Sequence, residues 1–443
     1  MHTIGADESR QTYLAAVLSI LILLLAFSSR FLPEGRLWGI DHLSYFTLAF
    51  ALVVTAVGVL GCILAVLLGR LPRRTEGAAK ARAPHAWGLA LIIAVLAASA
   101  ALFWFIKPAT YLLGDQQLQI HELSIDVIAP RKEIGTVLAY TGLYRLLRAA
   151  WDLKVPEVYA ILGCLSGVVF ILLLRRLLLL LGFRGTDLIF SALVVLAAAP
   201  VIFFFGYTEN YTLLYVATLA YLCTSFLAME KRVSLRVPLI LLILAIFFHH
   251  IGALLIPSFI LLSAHAASKG RHPTRRELTL VTSCALFILL IAYIFIRRTP
   301  GPGIFIPPFE NKPFPGYVLL SRAHLLDILN VLLLLCPAGL ILLLSHVFTR
   351  RRNRQKSSAR FMFACLASLF PLLFLLTAEP ELGVARDWDI FAFSGLTVNF
   401  LAITAMASLR QKNRRFSPVL HSAALTAVLL LIPWLLVNTD EQR

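Results

Sequence analysis

Long apolar stretches separated by short polar ones set the pattern of this chain. Runs near 13–32, 44–69, 86–106, 156–174, 187–205, 211–229, 278–296, 325–346, 361–377, 390–409 and 419–437 each come close to or exceed the about 20 residues that carry a helix across a bilayer. Their apolar positions are continuous. An outer-membrane barrel would alternate apolar with polar residues instead. A further run, 237–264, reads "VPLILLILAIFFHHIGALLIPSFILL", with His249 and His250 at its middle. It is either one helix with a buried histidine pair or two short ones meeting at that pair.

Composition agrees with the pattern. Of 443 residues, 59% are hydrophobic and 14% charged, and the mean hydropathy is +0.85. The expected fold class is all-α: a polytopic membrane protein with about 13 transmembrane or half-membrane helices. The six cysteines, Cys62, Cys164, Cys223, Cys284, Cys336 and Cys365, lie within apolar runs, so they suggest neither a disulfide framework nor a metal knuckle. The first apolar run has no small-residue cleavage site after it and is read as a retained helix.

The net charge of +17 raises the question of nucleic acid. Its distribution argues against that partner. Lys and Arg gather in short clusters at 70–82, 175–184, 231–236, 269–276, 350–360 and 410–415, each beside a helix end. The positive-inside rule places such clusters in the cytoplasm. With a cytoplasmic N-terminus, simple alternation satisfies the first three. The last three follow only if 237–264 dips in and returns as two short helices, each about 20 Å long and too short for a hydrocarbon core of about 30 Å. The broken reading is therefore preferred. It puts the histidine pair in a water-accessible dip on the outer face.

The unusual polar residues then fall on the outer side. The first long outer loop, 107–155, opens "KPATYLLGDQQLQIHELSID" and carries Asp115 after Gly114. Its later part, "EIGTVLAYTGLYRLLRAAWDL", predicts a helix lying in the interface. The next outer loop holds Glu209 and Asn210 in "FFFGYTENYTLLY". A Pro-rich loop at 297–317 carries Arg297 and Arg298. The last, "EPELGVARDWDIF", carries Arg386, Asp387, Trp388 and Asp389. Each has a plainer reading beside the functional one. Asp115 could end a helix in water, Trp388 reads as an interfacial anchor, and Arg386 with Asp387 could be a surface ion pair. Asp387 and Asp389 have the spacing of a metal-binding pair. The histidine pair could bond to core carbonyls or line the dip. "NYT" at Asn210 fits a glycosylation acceptor, but its place between two helices favours coincidence.

In this order of features the chain resembles the GT-C superfamily of integral-membrane glycosyltransferases, which take sugars from polyprenyl-phosphate donors. The resemblance is architectural and covers roughly residues 86–324. It implies a GT-C-like seven-helix core with outer-face interfacial helices, after an N-terminal helix pair at 1–85 and before a C-terminal four-helix extension at 325–443. Asp115 in "GDQQ" matches the position of the family's catalytic acid, and Glu209 in "GYTEN" that of its second acidic site. Gln116 and Gln117 stand where many members have a further acid.

What the resemblance implies is transfer of a hexosyl or pentosyl group, with inversion expected, from a polyprenyl-phosphate donor to an acceptor hydroxyl. Asp115 would be the general base and Glu209 the second catalytic group. Arg386 is the first candidate for the leaving phosphate, with His249, His250, Arg297, Arg298 and Lys132 behind it. Asn210, Asp387 and Asp389 would position the acceptor or a metal. The resemblance fixes no cofactor, and a divalent cation would suit the paired carboxylates. The expected partners are the bilayer, a polyprenyl-phosphate-linked sugar and a glycan, lipid or protein acceptor. The expected location is a bacterial inner membrane, with the site facing the periplasm. The main rival is a transporter or flippase of lipid-linked or polar solutes. An envelope-polysaccharide ligase or polymerase and a structural scaffold are further alternatives.

Overall fold

The structure is a computed structural model that describes residues 2–33, 36–70, 85–127, 133–270, 279, 283, 305–306, 317–349, 358–409 and 417–440. Among these the protein is all-helical, with one isolated bridge between Phe305 and Ala378. It is a polytopic membrane protein. Eight described helices are long and apolar enough to cross a bilayer, or up to ten if each bent pair is one span. Apart from residues 279, 283, 305–306 and 317, the expected helix at 278–296 and the Pro-rich loop at 297–317 lie outside the described residues, Arg297, Arg298 and Lys132 among them.

The helices are α1 His2–Ser28, α2 Leu48–Arg70, α3 His85–Phe105, α4 Gln116–Ser124, α5 Ile134–Trp151, α6 Val155–Leu180, α7 Gly185–Leu196, α8 Thr212–Met229, α9 Arg236–Phe248 and α10 Ile256–Ser268. They continue with α11 Arg322–Leu335, α12 Pro337–Thr349, α13 Ala359–Thr377, α14 Ala392–Leu409 and α15 Pro418–Asn438. The stretch Trp388–Ser408 is 83% buried and forms the centre, with α8 beside it. α2 turns Leu52, Val53, Leu60 and Leu64 outward, as a lipid-facing helix does.

Two runs expected to be single spans are broken. The run at 187–205 is α7 followed by a 3-10 helix, Ala199–Phe205, bent 86° from it. Pro200, second in that turn, has no N–H to continue the α-helical ladder. The run at 325–346 is α11 and α12, bent 106° at Cys336 just before Pro337.

The break expected within 237–264 is present. α9 stops at Phe248, His249 is extended, and a 3-10 helix His250–Leu255 leads into α10. A methyl on Gly252 would stand 2.8 Å from the carbonyl carbon of Ala245. In a continuous helix, residues seven apart are separated by about 10 Å along the axis. The chain therefore folds back over its own last turn. α10 returns to the end where α9 began: His265 and Lys269 line a small cavity with Met229 and Lys231.

Several basic-cluster edges meet at that end. Glu230 pairs with Arg232 (2.9 Å) and with Arg360. Asp187 Oδ1 accepts the Ser417 N–H at 2.9 Å, and Gly69 packs on Pro418. α6, α8 and α14 each end at a basic cluster. At their starts lie the acidic residues of interest, Glu209 before α8 and Asp389 before α14.

α5 is the expected helix of the first long loop. Tyr140, Tyr144 and Leu147 are buried against Val155, Val158 and Tyr159, while Leu138, Leu146 and Trp151 face outward. Its first turn is tied to the break after α9: Thr136 Oγ1 donates to the Phe248 carbonyl at 2.8 Å, and Gly135 packs on Phe247.

Candidate functional site

The turn Leu113–Gln116 is the centre of the site. Gly114 has φ +57°, a region that suits glycine. Its N–H donates to the Arg386 carbonyl at 3.0 Å. The Asp115 N–H donates to Glu209 Oε1. Gln116, fully buried, accepts from both the N–H (3.1 Å) and the hydroxyl (3.0 Å) of Thr208, and donates to the Leu113 carbonyl at 3.1 Å. Two loops distant in sequence thus hold this turn. A methyl at Gly114 would lie 2.5 Å from Glu209 Oε1 and 2.6 Å from Asp389 Oδ2, so both carboxylates press on the same point of backbone.

The four acids differ in exposure. Asp115 is exposed and stands at the N-cap position of α4, its carboxylate making no capping bond. Glu209 and Asp389 are buried, at 4% and 2% exposed. Asp389 Oδ2 accepts from the Tyr207 hydroxyl at 3.0 Å. Asp387 is half-buried and accepts the Leu382 N–H at 2.9 Å. Burial pushes Glu209 well above the usual carboxylate range, and the charges of Asp389 and Asp115 push it further. Burial also raises Asp387, to about 6, against the opposing pull of its Leu382 bond.

Asn210 is buried rather than presented for modification. It accepts from Tyr159 at 3.1 Å and donates to Glu133 at 3.4 Å, joining the loop to the start of α5. His249 is buried and its ring lies 5.1 Å from that of Tyr211. Its Nδ1 accepts the Ile251 N–H at 3.2 Å, which leaves Nε2 to carry the ring proton. His250 is exposed and stacks on His249 at 4.7 Å. The Arg386 side chain is exposed beside Asp387.

One reading is corrected. Trp388 is not an interfacial anchor: it is 1% exposed and packs against Phe203, Tyr207 and Trp434. Asp115, Glu209, Asp387 and Asp389 are brought together, with His249 near by through Tyr211. Residues that sequence reasoning passed over are Gly114, Tyr207, Tyr159 and Glu133. The Gly-Asp pair after a helix was a turn signal that could have marked Gly114; the tyrosines carry no local signal. Among the described residues no group of three or more His, Cys, Asp or Glu side chains is arranged to hold a metal ion.

No family model and no curated protein matches the chain. Among solved structures it is similar to the crystal structure of ArnT from Cupriavidus metallidurans bound to undecaprenyl phosphate. The identity is 13% over 80% of this chain, with a TM-score of 0.40. The chain spans 61% of the length of that protein.

Proposed function

We propose that the protein is a GT-C-type glycosyltransferase that moves a sugar from a polyprenyl-phosphate donor to an acceptor hydroxyl. The observation that carries this reading is the convergence of Asp115, Glu209 and Asp389 from three separate loops at the end of the bundle opposite the basic clusters. Asp115 is the one exposed carboxylate of the three, and it is the general base. Glu209 and Asp389 act behind it, and Asn210 and Asp387 border the acceptor side or a divalent cation. The exposed Arg386 takes the leaving phosphate with its planar fork. His249 Nε2–H donates one hydrogen bond there, with His250, Lys132, Arg297 and Arg298 as further partners. The core that does this is 86–324, flanked by 1–85 and 325–443. The basic end is cytoplasmic, so the site faces the periplasm of a bacterial inner membrane.

The test is transfer from a synthetic polyprenyl-phosphate sugar by purified protein in lipid. Asp115→Asn keeps the shape and removes the base. It is expected to lower the rate by about 10²- to 10⁴-fold. Transfer at near the native rate would remove Asp115 from the role.

A further inference from the structure

α8 and α10 both end at the basic end of the bundle, and a cavity lies between their last turns. Its floor is apolar, with Met229, Leu262 and Ala266. Its rim is Lys231, His265 and Lys269. Both lysines are exposed, and among the described residues no rim side chain has a hydrogen bond or ion pair. The neighbouring carboxylate is engaged elsewhere: Glu230 pairs with Arg232 at 2.9 Å and with Arg360. Both helix ends are also closed without these side chains. The Lys231 and Arg232 N–H groups bond to the Ala228 and Leu227 carbonyls, and those of Lys269 and Gly270 to Ala266 and Ala267. Bonding to the last carbonyls, an ordinary task for a lysine at a helix C-terminus, therefore leaves the two ammonium groups unused. Each helix end supplies about half a negative charge against one full positive charge, so the rim is cationic in excess.

We propose that this cavity binds the phosphate headgroup of an anionic phospholipid from the leaflet at the basic end. Size decides between a lipid and a soluble phosphate. The enclosed space is about 10 Å³, room for one oxygen-sized group. A free phosphate or nucleotide would find no walls around it and would rest on two exposed lysines alone. A phospholipid needs holding only by its headgroup, because its chains stay in the bilayer. Its phosphate sits at the rim with one oxygen inward, between two ammonium groups that each carry three donors. The outward side of α10 suits the chains: Ile260 and Ala264 are exposed one turn apart, in line with Ser268 at the rim. Bound there, the lipid ties the end of the returning segment to α8. The site stands at the end opposite the carboxylates and does not depend on the role of Asp115.

The experiment uses the full-length protein in nanodiscs of phosphatidylcholine with a minority of phosphatidylglycerol. The lipids it keeps on release into detergent are counted by native mass spectrometry. The wild type is expected to retain one phosphatidylglycerol in preference to phosphatidylcholine. K231Q and K269Q should each weaken that preference about 5-fold and the double variant about 30-fold, which corresponds to roughly 1 kcal/mol for each lysine near an anionic surface. The double Lys→Arg variant keeps both charges and should keep the lipid. R175Q removes an exposed charge on α6, outside the cavity, and should leave retention unchanged. Absence of any preference in the wild type overturns the proposal, and this needs no variant to fold. An equal loss in R175Q would mark a diffuse attraction to the whole basic end and overturn the site. Displacement of phosphatidylglycerol from the wild type by millimolar inorganic phosphate would make a free anion the occupant and overturn the lipid. The wild type should also unfold at a higher temperature with phosphatidylglycerol than without it, and the double Lys→Gln variant should show no such difference.

Discussion

Gly114 does at the scale of one residue what no other type could do. It takes a positive φ and leaves no room for a Cβ between two carboxylate oxygens. Gly114→Ala is expected to destabilise the protein by about 1–3 kcal/mol through the backbone conformation alone. It should also lower transfer, and thermal unfolding in detergent beside the transfer assay would show both. Asp387 makes a second prediction. Its carboxyl is raised from 3.8 to about 6, so the folded state binds its proton more tightly than the unfolded state. Its contribution to stability is present below about pH 4 and is lost as pH rises through about 6. Asp387→Asn should flatten the stability profile across that window; Asp41, also raised to about 6 by burial, gives a remaining slope of the same sign. Asp115 and Glu209 were legible in sequence because a charge in so apolar a chain is conspicuous. Tyr207, Gln116 and Glu133 were not, because ordinary residue types acquire their roles only from the loops that meet them.

Broken helices place these loops at the scale of elements. The polar residues stand beside interruptions: Glu209 just past the bent pair at 185–205, His249 between α9 and α10, Asp389 in the 3-10 turn that precedes α14. The interruption at His249 could be read from charge, since only a returning segment kept every basic cluster on one side. Those at Ala198 and Cys336 could not be read from hydropathy, which runs through them without a gap. Pro200 and Pro337 were the local signals, but proline also stands inside the unbroken α13 and α15, so its presence alone does not decide. Gly252 tests the returning segment. Its replacement by Ala puts a methyl 2.8 Å from backbone that cannot move aside cheaply. A loss of about 1–3 kcal/mol is expected, with faster hydrogen exchange at 246–252 and at the start of α5. Unchanged exchange would mean the fold-back tolerates a gap there.

Charge organises the whole molecule. The described edges of the basic clusters mark one end, and the carboxylates gather at the other, about 27 Å away along α8. Glu381→Cys and Ser234→Cys, both at exposed positions, should therefore react with an impermeant thiol reagent from opposite faces of a sealed vesicle. Labelling of both from one face would contradict the axis. This polarity was the part of the fold most open to reading, because loop charge reports it without any tertiary knowledge. The packing of α1 and α2 against α15 was closed to it, since helices that are apolar all round do not announce their neighbours. The returning segment has one more consequence, for biosynthesis. His250–Ser268 is apolar enough to be threaded through as a span in its own right, and it leaves the ribosome before α11–α15 exist. Greasiness alone would commit it to the wrong side. Restraint comes from the earlier neighbours α8 and α9, which are already made when it emerges. A nascent chain that failed this step would deliver every later helix upside down, so the histidine turn acts as a switch point on the assembly line.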